Sequence, residues 1–386
     1  MGYTNKNGQT LSEDIAFIEA QGQGLQVQTA NQKLLKKEVE SLLETCAITS
    51  NDLEALRIAP LDNIRGLQDV ETALITLYKA MIKIDPSLGG NEPANTADAT
   101  LDSDQALGLN SDYGNMRIVQ EKKEMYVQES GFFLRRLLEF IPRQFDQSIA
   151  ETKRGLEGAL SKKVDASHHE AGRDILWRYH PLMLYARDAD LDGWNRFIQI
   201  YQDKSAPLYK SEFQTVIQSW RKNARKMTGE EAELLFTSQM EKQQENVATA
   251  ARKLTVKRSQ TLARALRSPL SDGSKAERNK AAGESRSFPY EVYAGVLDDL
   301  LPLVEMEQNF IIDFFHATTL SQTDFPDAVG ASLPVDRRGG DLRRHRLMEP
   351  DRELARRVTR SMETIFTFLD QELQRLMEWV IGQDPL

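Results

Sequence analysis

Apolar residues in this chain recur mostly at spacings of three and four. Over residues 11–44 they fall at Leu11, Ile15, Ile18 and Leu25, then at Leu35, Val39 and Leu42, the seam of a heptad coiled coil. The middle of the seam is weak. Gly22, Thr29 and Gln32 occupy apolar positions, and Gly22 and Gly24 each cost a helix about 1 kcal/mol relative to Ala. A single helix this narrow cannot bury its own stripe. The seam Ile15, Ile18, Leu25, Leu35, Val39 and Leu42 is therefore expected to meet a helix supplied by a partner; the alternative is packing on the body downstream.

The arm is expected to end near Thr45–Cys46. The run Thr49-Ser50-Asn51-Asp52 reads as a new N-cap with an acid three residues on. It opens a short helix that stops before Pro60, since the residue preceding a proline disfavours the α region. Asp62-Asn63 opens the next helix, whose ladder is Leu67, Val70, Leu74, Leu77, Met81 and Ile84. Residues 87–111 are rich in Gly, Asn, Asp, Ser and Ala and are expected to be a loose loop. Met116, Val119, Tyr126, Phe133, Leu137 and Phe140 then line one side of a long helix. Pro142 should kink it before it resumes through Phe145, Ile149 and Leu156. Pro181 should begin or kink a helix. Another runs from Trp194 towards a break near Pro207, with spacing resuming through Phe213, Ile217 and Trp220.

Residues 268–287 (SPLSDGSKAERNKAAGESRS) read as a linker. Beyond it lies the most apolar segment, in which Phe310, Ile311, Phe314 and Phe315 are expected to anchor a second core. A loop at 318–350 and a last helix from Pro350 to Val380 follow. No period-2 alternation is sustained, so the fold class is all-α: an elongated rod of stacked helical bundles preceded by the tail of a coiled coil. The expected division is an arm at 1–46, a first bundle at 47–267, the linker at 268–287, and at 288–386 the start of a second bundle that the chain does not complete.

Composition narrows the partners. Net charge is −9 over 386 residues, so the whole chain does not read as a nucleic-acid binder. One cysteine, Cys46, excludes an internal disulfide framework and fits a reducing compartment. The first ten residues, MGYTNKNGQT, lack the apolar core of a signal peptide. Charge is uneven: residues 252–286 carry ten Lys/Arg against three Asp/Glu, and 337–360 carry nine against four. Arg337, Arg338, Arg343, Arg344 and Arg346 are candidates to meet anionic lipid head groups, each contributing about 1 kcal/mol near a charged bilayer. The alternative is a solvated loop balancing acidic neighbours. RNA would call for interleaved aromatics, which 337–346 lacks. Lys204, Lys210, Arg221, Lys222, Arg225 and Lys226 are candidates for a further basic face.

Candidate chemistry is sparse. Asp188-Ala189-Asp190-Leu191-Asp192-Gly193 matches the opening of a calcium loop. The ninth and twelfth positions are Arg196 and Gln199, neither of which ligates calcium as the loop requires, so the aspartates are expected to cap the following helix. His168 and His169 are adjacent and point in different directions on a helix. No HExxH, CxxC, GxSxG, Walker A or GxGxxG sequence occurs. The expectation is no enzyme, no metal, no cofactor and no small-molecule substrate.

Residues 24–81 (GLQVQTANQKLLKKEVESLL with DLEALR and LDNIRGLQDVETALITLYKAM), 116–140 (MRIVQEKKEMYVQESGFFLRRLLEF) and 301–316 (LPLVEMEQNFIIDFFH), supported by 194–222, together resemble the carboxyl-terminal half of the Sec-three subunit of the exocyst. This is the vesicle-tethering complex, and the loops are similar in style to fungal members. The resemblance implies a helical rod of the multisubunit-tether type, with residues 11–44 as the tail of a coiled coil that pairs with other subunits. It implies other exocyst subunits as partners through helix–helix contacts. It also implies a cytoplasmic location, peripheral at sites of secretion on the plasma membrane. The family's amino-terminal domain, which binds phosphoinositides and Rho-type GTPases, has no counterpart in these residues, so neither activity is assigned. The competing reading is a membrane-surface helical module that binds anionic lipids through its basic tracts.

Overall fold

A computed structural model describes residues 4–89, 111–157, 166–225, 287–318, 323–343 and 352–383. The helices are α1 (Thr4–Ala47), α2 (Glu54–Ile58), α3 (Ile64–Ile84), α4 (Ser111–Gly114), α5 (Arg117–Leu156), α6 (Glu170–Trp177), α7 (His180–Ala189), α8 (Leu191–Lys222), α9 (Pro289–Phe314), α10 (Phe325–Gly330), α11 (Arg352–Ile365) and α12 (Leu369–Ile381). The fold is all-α; the one β contact among the described residues is an isolated bridge between Ala224 and Ser287.

Local chemistry sets the element ends. Thr49 donates from its backbone N–H and its Oγ1 to Asp52 Oδ2, both at 2.8 Å, shaping the turn before α2. Asn63 caps α3 by accepting from the Arg65 N–H at 3.1 Å. Asp190 Oδ1 accepts from the N–H groups of Asp192 and Gly193, so the aspartate run caps α8 as expected. Asp188 is spent elsewhere: Tyr78 donates to it at 2.8 Å and Arg187 pairs with it at 3.0 Å. Burial pushes its carboxyl above the ordinary range.

Three of the longest helices carry an internal proline, Pro142 in α5, Pro207 in α8 and Pro302 in α9. The expected break at Pro207 is not a break: α8 runs through it, because Leu208, Tyr209, Phe213 and Ser205 on either side are buried and hold the helix in place. The expected last helix, conversely, is two, parted at Phe366–Phe368 between α11 and α12. That turn puts Phe366 against Tyr209 and Phe213 at 5.0 and 5.5 Å.

The layers follow from the stripes. α5 packs on α6 and α8, and α3 on α2 and α5. α9 and α11 lie against α8, and α12 against α9. Phe310, Ile311, Phe314 and Phe315 do not found a second core. They belong to the same buried cluster as Leu74, Phe145, Trp177 and Trp194. Phe145 of α5 sits 5.2 Å from Tyr201, 6.4 Å from Phe314 and 6.3 Å from Phe315. The apolar face of α9 thus closes the core that α3, α5 and α8 leave open. The residues expected to be a linker lie, apart from Ser287, outside the described residues. At their margin the Arg225 N–H donates to Ser287 O at 2.9 Å, so chain leaving α8 and chain entering α9 meet side by side.

Candidate partner interface

α1 is a 44-residue helix, about 66 Å long at 1.5 Å per residue. Among the described residues, its last turns are the part that meets the body. Thr45 is buried and its carbonyl accepts from Tyr126 Oη. Lys83 pairs with Glu44 at 3.0 Å, and Lys122 donates to Ile48 O at 2.7 Å. Leu42 and Cys46 are half-buried at this junction, and burial pushes the Cys46 thiol up from its ordinary value.

The described seam residues before Leu42 stand in solvent. Leu25 is 59% exposed, Leu35 53% and Val39 38%; Ile15 and Ile18 lie on the helix, with side chains outside the described residues. The same stripe that docks on the body at Leu42 and Thr45 continues outwards through Leu35, one heptad earlier. Burying a side chain of this kind stabilises by roughly 1.5–3 kcal/mol. A helix with three internal glycines, Gly8, Gly22 and Gly24, whose described side chains are exposed over most of their run, has little else to hold it. An exposed apolar stripe at heptad spacing is the kind of surface on which a second helix packs.

The basic tract behaves otherwise. Arg337, expected at a lipid surface, is 5% exposed. It pairs with Glu71 of α3 at 2.5 and 2.9 Å and donates to Arg178 O at 2.8 Å. It is a structural cation, unavailable to a head group, because a desolvated guanidinium needs all of these partners. Arg338 and Arg343 are more than half exposed, 3.7 Å from Asp174 and 3.6 Å from Glu170. Arg344 and Arg346 lie outside the described residues. The second basic face is dispersed: Lys204 pairs with Asp146, Arg221 reaches Arg375 O at 3.0 Å and lies over Trp379, and Arg225 lies over Phe288. Lys226 is outside the described residues.

The buried polar groups form an internal network. Glu307 of α9 accepts from Arg173 at 2.8 Å, from Tyr201 Oη at 2.6 Å and from Tyr209 Oη at 2.5 Å. Burial and the Glu307 charge push both phenols well up. Burial works against the charge of Arg173, but Tyr209 and Glu307 raise its affinity for the proton overall. His169 contacts Glu212 at 3.0 Å and stacks on Tyr209. Sequence reasoning missed this network, although a signal existed: Glu307 sits among Leu303, Met306, Phe310 and Phe314 on an otherwise apolar face. Among the described residues no His, Cys, Asp or Glu cluster is placed to hold a metal ion, and no helix is long and apolar enough to cross a membrane.

Structure and seam thus define an all-α protein with a helical body and a projecting coiled-coil arm. The arm and the start of the body, residues 3–83, match the family described as exocyst complex component Sec3, coiled-coil. Residues 314–386 match exocyst complex component Sec3, C-terminal. Mouse exocyst complex component 1 is 22% identical over 396 aligned residues, covering 96% of this chain and 40% of its own length. No solved structure matches. Both ends of the chain are thus similar to exocyst complex component Sec3, in the expected order, and 96% of its length aligns with the mouse component.

Proposed function

We propose that this chain is a non-enzymatic scaffold within an exocyst subunit. It holds other subunits by helix–helix contacts along α1, and through them helps tether secretory vesicles to the plasma membrane before fusion, acting from the cytoplasm at sites of secretion. The observation that carries the reading is the exposed stripe Leu25, Leu35 and Val39, on a helix that leaves the body and lies in the region matched as coiled coil. The chain spans 40% of the length of the relative it matches, so assembly rather than the whole subunit's activity is the property to test. The body serves as a rigid mount, fixing the direction in which α1 leaves.

The test uses the chain carrying Leu35→Asp with Val39→Asp, passed over lysate with mass spectrometry and then mixed with the captured subunits under light scattering. Both residues are exposed, so thermal stability should be unchanged. Capture of exocyst subunits should be lost. Capture at the unsubstituted level would remove the seam from the reading.

A further inference from the structure

A cavity of about 330 Å³ opens between α6 and the 331–343 loop, walled by Arg173, Asp174, Trp177, Met306 and the stretch Arg338–Arg343. Glu170 completes the rim. Four N–H donors of these wall residues have no acceptor among the described residues. Trp177 Nε1–H and the amides of Gly339 and Gly340 make no hydrogen bond. Arg173 directs Nη2 to Glu307 and Tyr209, and its Nη1 is left without a partner. Two other indoles are paired, Trp194 donating to Phe315 O at 2.9 Å and Trp220 to Asp299 Oδ2 at 2.8 Å, whereas the half-buried Trp379 lies under the Arg221 guanidinium and makes no indole hydrogen bond to a described residue. Of these four, Arg173 Nη1 is the fully buried one, and a buried donor without an acceptor calls for an explanation; the Gly340 amide lies at the exposed mouth of the cavity.

The two glycines sharpen the point. A Cβ on Gly339 would lie 2.4 Å from Trp177 Nε1, so only glycine lets the loop backbone lie on the indole. A Cβ on Gly340 would meet nothing within 4 Å, and its backbone is outside the left-handed region. Nothing inside the fold requires glycine there; a ligand approaching the bare backbone would. The wall offers three guanidiniums (Arg173, Arg338, Arg343) and three carboxylates (Glu170, Asp174, Asp341). The ion pairs Arg338–Asp174 and Arg343–Glu170, at 3.7 and 3.6 Å, are longer than hydrogen bonds. A wall with no formal net charge but unspent donors suits a singly charged acceptor better than a dianion.

We propose that this cavity binds a carboxylate, which accepts from Trp177 Nε1–H and the Gly339 and Gly340 amides, with the exposed Arg338 guanidinium at its mouth. The carboxylate belongs either to an acidic side chain of a partner polypeptide or to a small free acid. The test follows the indole N–H resonances of the ¹⁵N-labelled full chain, with the Trp177 signal identified by its absence in Trp177→Phe. The probes are a capped oligoglutamate peptide, propionate and inorganic phosphate, at equal concentration of anionic groups. The Trp177 signal should move with carboxylate while the other indoles stay. Preference for the peptide assigns the site to a partner polypeptide, and equal response assigns it to small acids. Gly340→Val has room for its side chain and should melt as the parent does, yet bind about tenfold more weakly; Arg338→Ala should weaken binding similarly. A stationary Trp177 signal, a stronger response to phosphate than to carboxylate, or an unaltered response in Gly340→Val would each overturn the proposal.

Discussion

Glu71 and Arg337 are separated by 266 positions and meet in the interior. Burial pushes the Glu71 carboxyl up, and the guanidinium pulls it back. Breaking such a pair from one side leaves a desolvated charge alone, which costs about 3–5 kcal/mol. Arg337→Met should therefore lower the urea midpoint sharply. Glu71→Leu with Arg337→Met should recover much of that loss, though not all, because Arg178 O and Ser332 O also accept from Arg337. A second residue-scale expectation concerns His180 and His316, whose rings lie 4.0 Å apart. Burial, with Arg337 nearby, pushes His180 down to about 4. Burial, then His180 and Arg187, push His316 well below its ordinary value. Both are neutral when folded. As pH falls below about 6.5 the unfolded chain takes up protons first. Stability is whole above that pH and should fall progressively towards pH 4, at about 1.4 kcal/mol for each unit of depression. Urea unfolding at pH 7.5 and pH 5 measures the loss, and His180→Phe should reduce its slope. His316 also holds φ at 51°, a left-handed geometry rare outside glycine. Its carbonyl is fixed by Arg187 at 2.8 Å and its ring by His180 O at 3.2 Å.

At the scale of elements, the neck between α8 and α9 makes a separable claim. Arg225 N donates to Ser287 O at 2.9 Å, and the Arg225 guanidinium lies 4.0 Å over Phe288. These contacts join the end of α8 to the start of α9 directly. Replacing residues 226–286 with a short Gly/Ser linker should leave the melting temperature unchanged or raise it, since closing a tenfold shorter loop costs about 2 kcal/mol less. A fall in the melting temperature measured by calorimetry would show that the neck does not suffice. Much of this level was legible beforehand. The ladders of α3 and α5, the caps at Asn63 and Asp190 and the open seam of α1 all follow from spacing and short polar side chains acting locally. What was illegible depended on distant residues. Pro207 does not end α8 because Tyr209 and Phe213 are held by Phe366 of a later segment. Arg337 looked like a surface cation because its partner Glu71 lies far back in the chain.

At the scale of the molecule, the position of the core decides what can fold alone. A linker at 268–287 suggests two bundles, and a bundle ending before it should survive without the rest. The packing argues otherwise. Trp194 of α8 donates its indole N–H to Phe315 O, and Trp177 of α6 sits 5.5 Å from Phe310. Phe325 is fully buried beside Tyr78 and Tyr185, at 5.4 and 5.3 Å. Arg173, Tyr201 and Tyr209 all depend on Glu307. Cutting after residue 287 would expose this aromatic surface and strand a buried guanidinium, each a loss of several kcal/mol. A domain's entire margin is only about 5–15 kcal/mol. The chain 1–287 should therefore keep helical signal in far-ultraviolet circular dichroism but show no cooperative calorimetric transition, whereas 1–386 should melt in one step. A sharp transition in 1–287 would restore two independent bundles. With one core, the direction in which α1 leaves the body is set through α3 and α5 by contacts reaching as far as Phe325 and Arg337, so a carboxyl-terminal lesion should also disturb what the arm can hold.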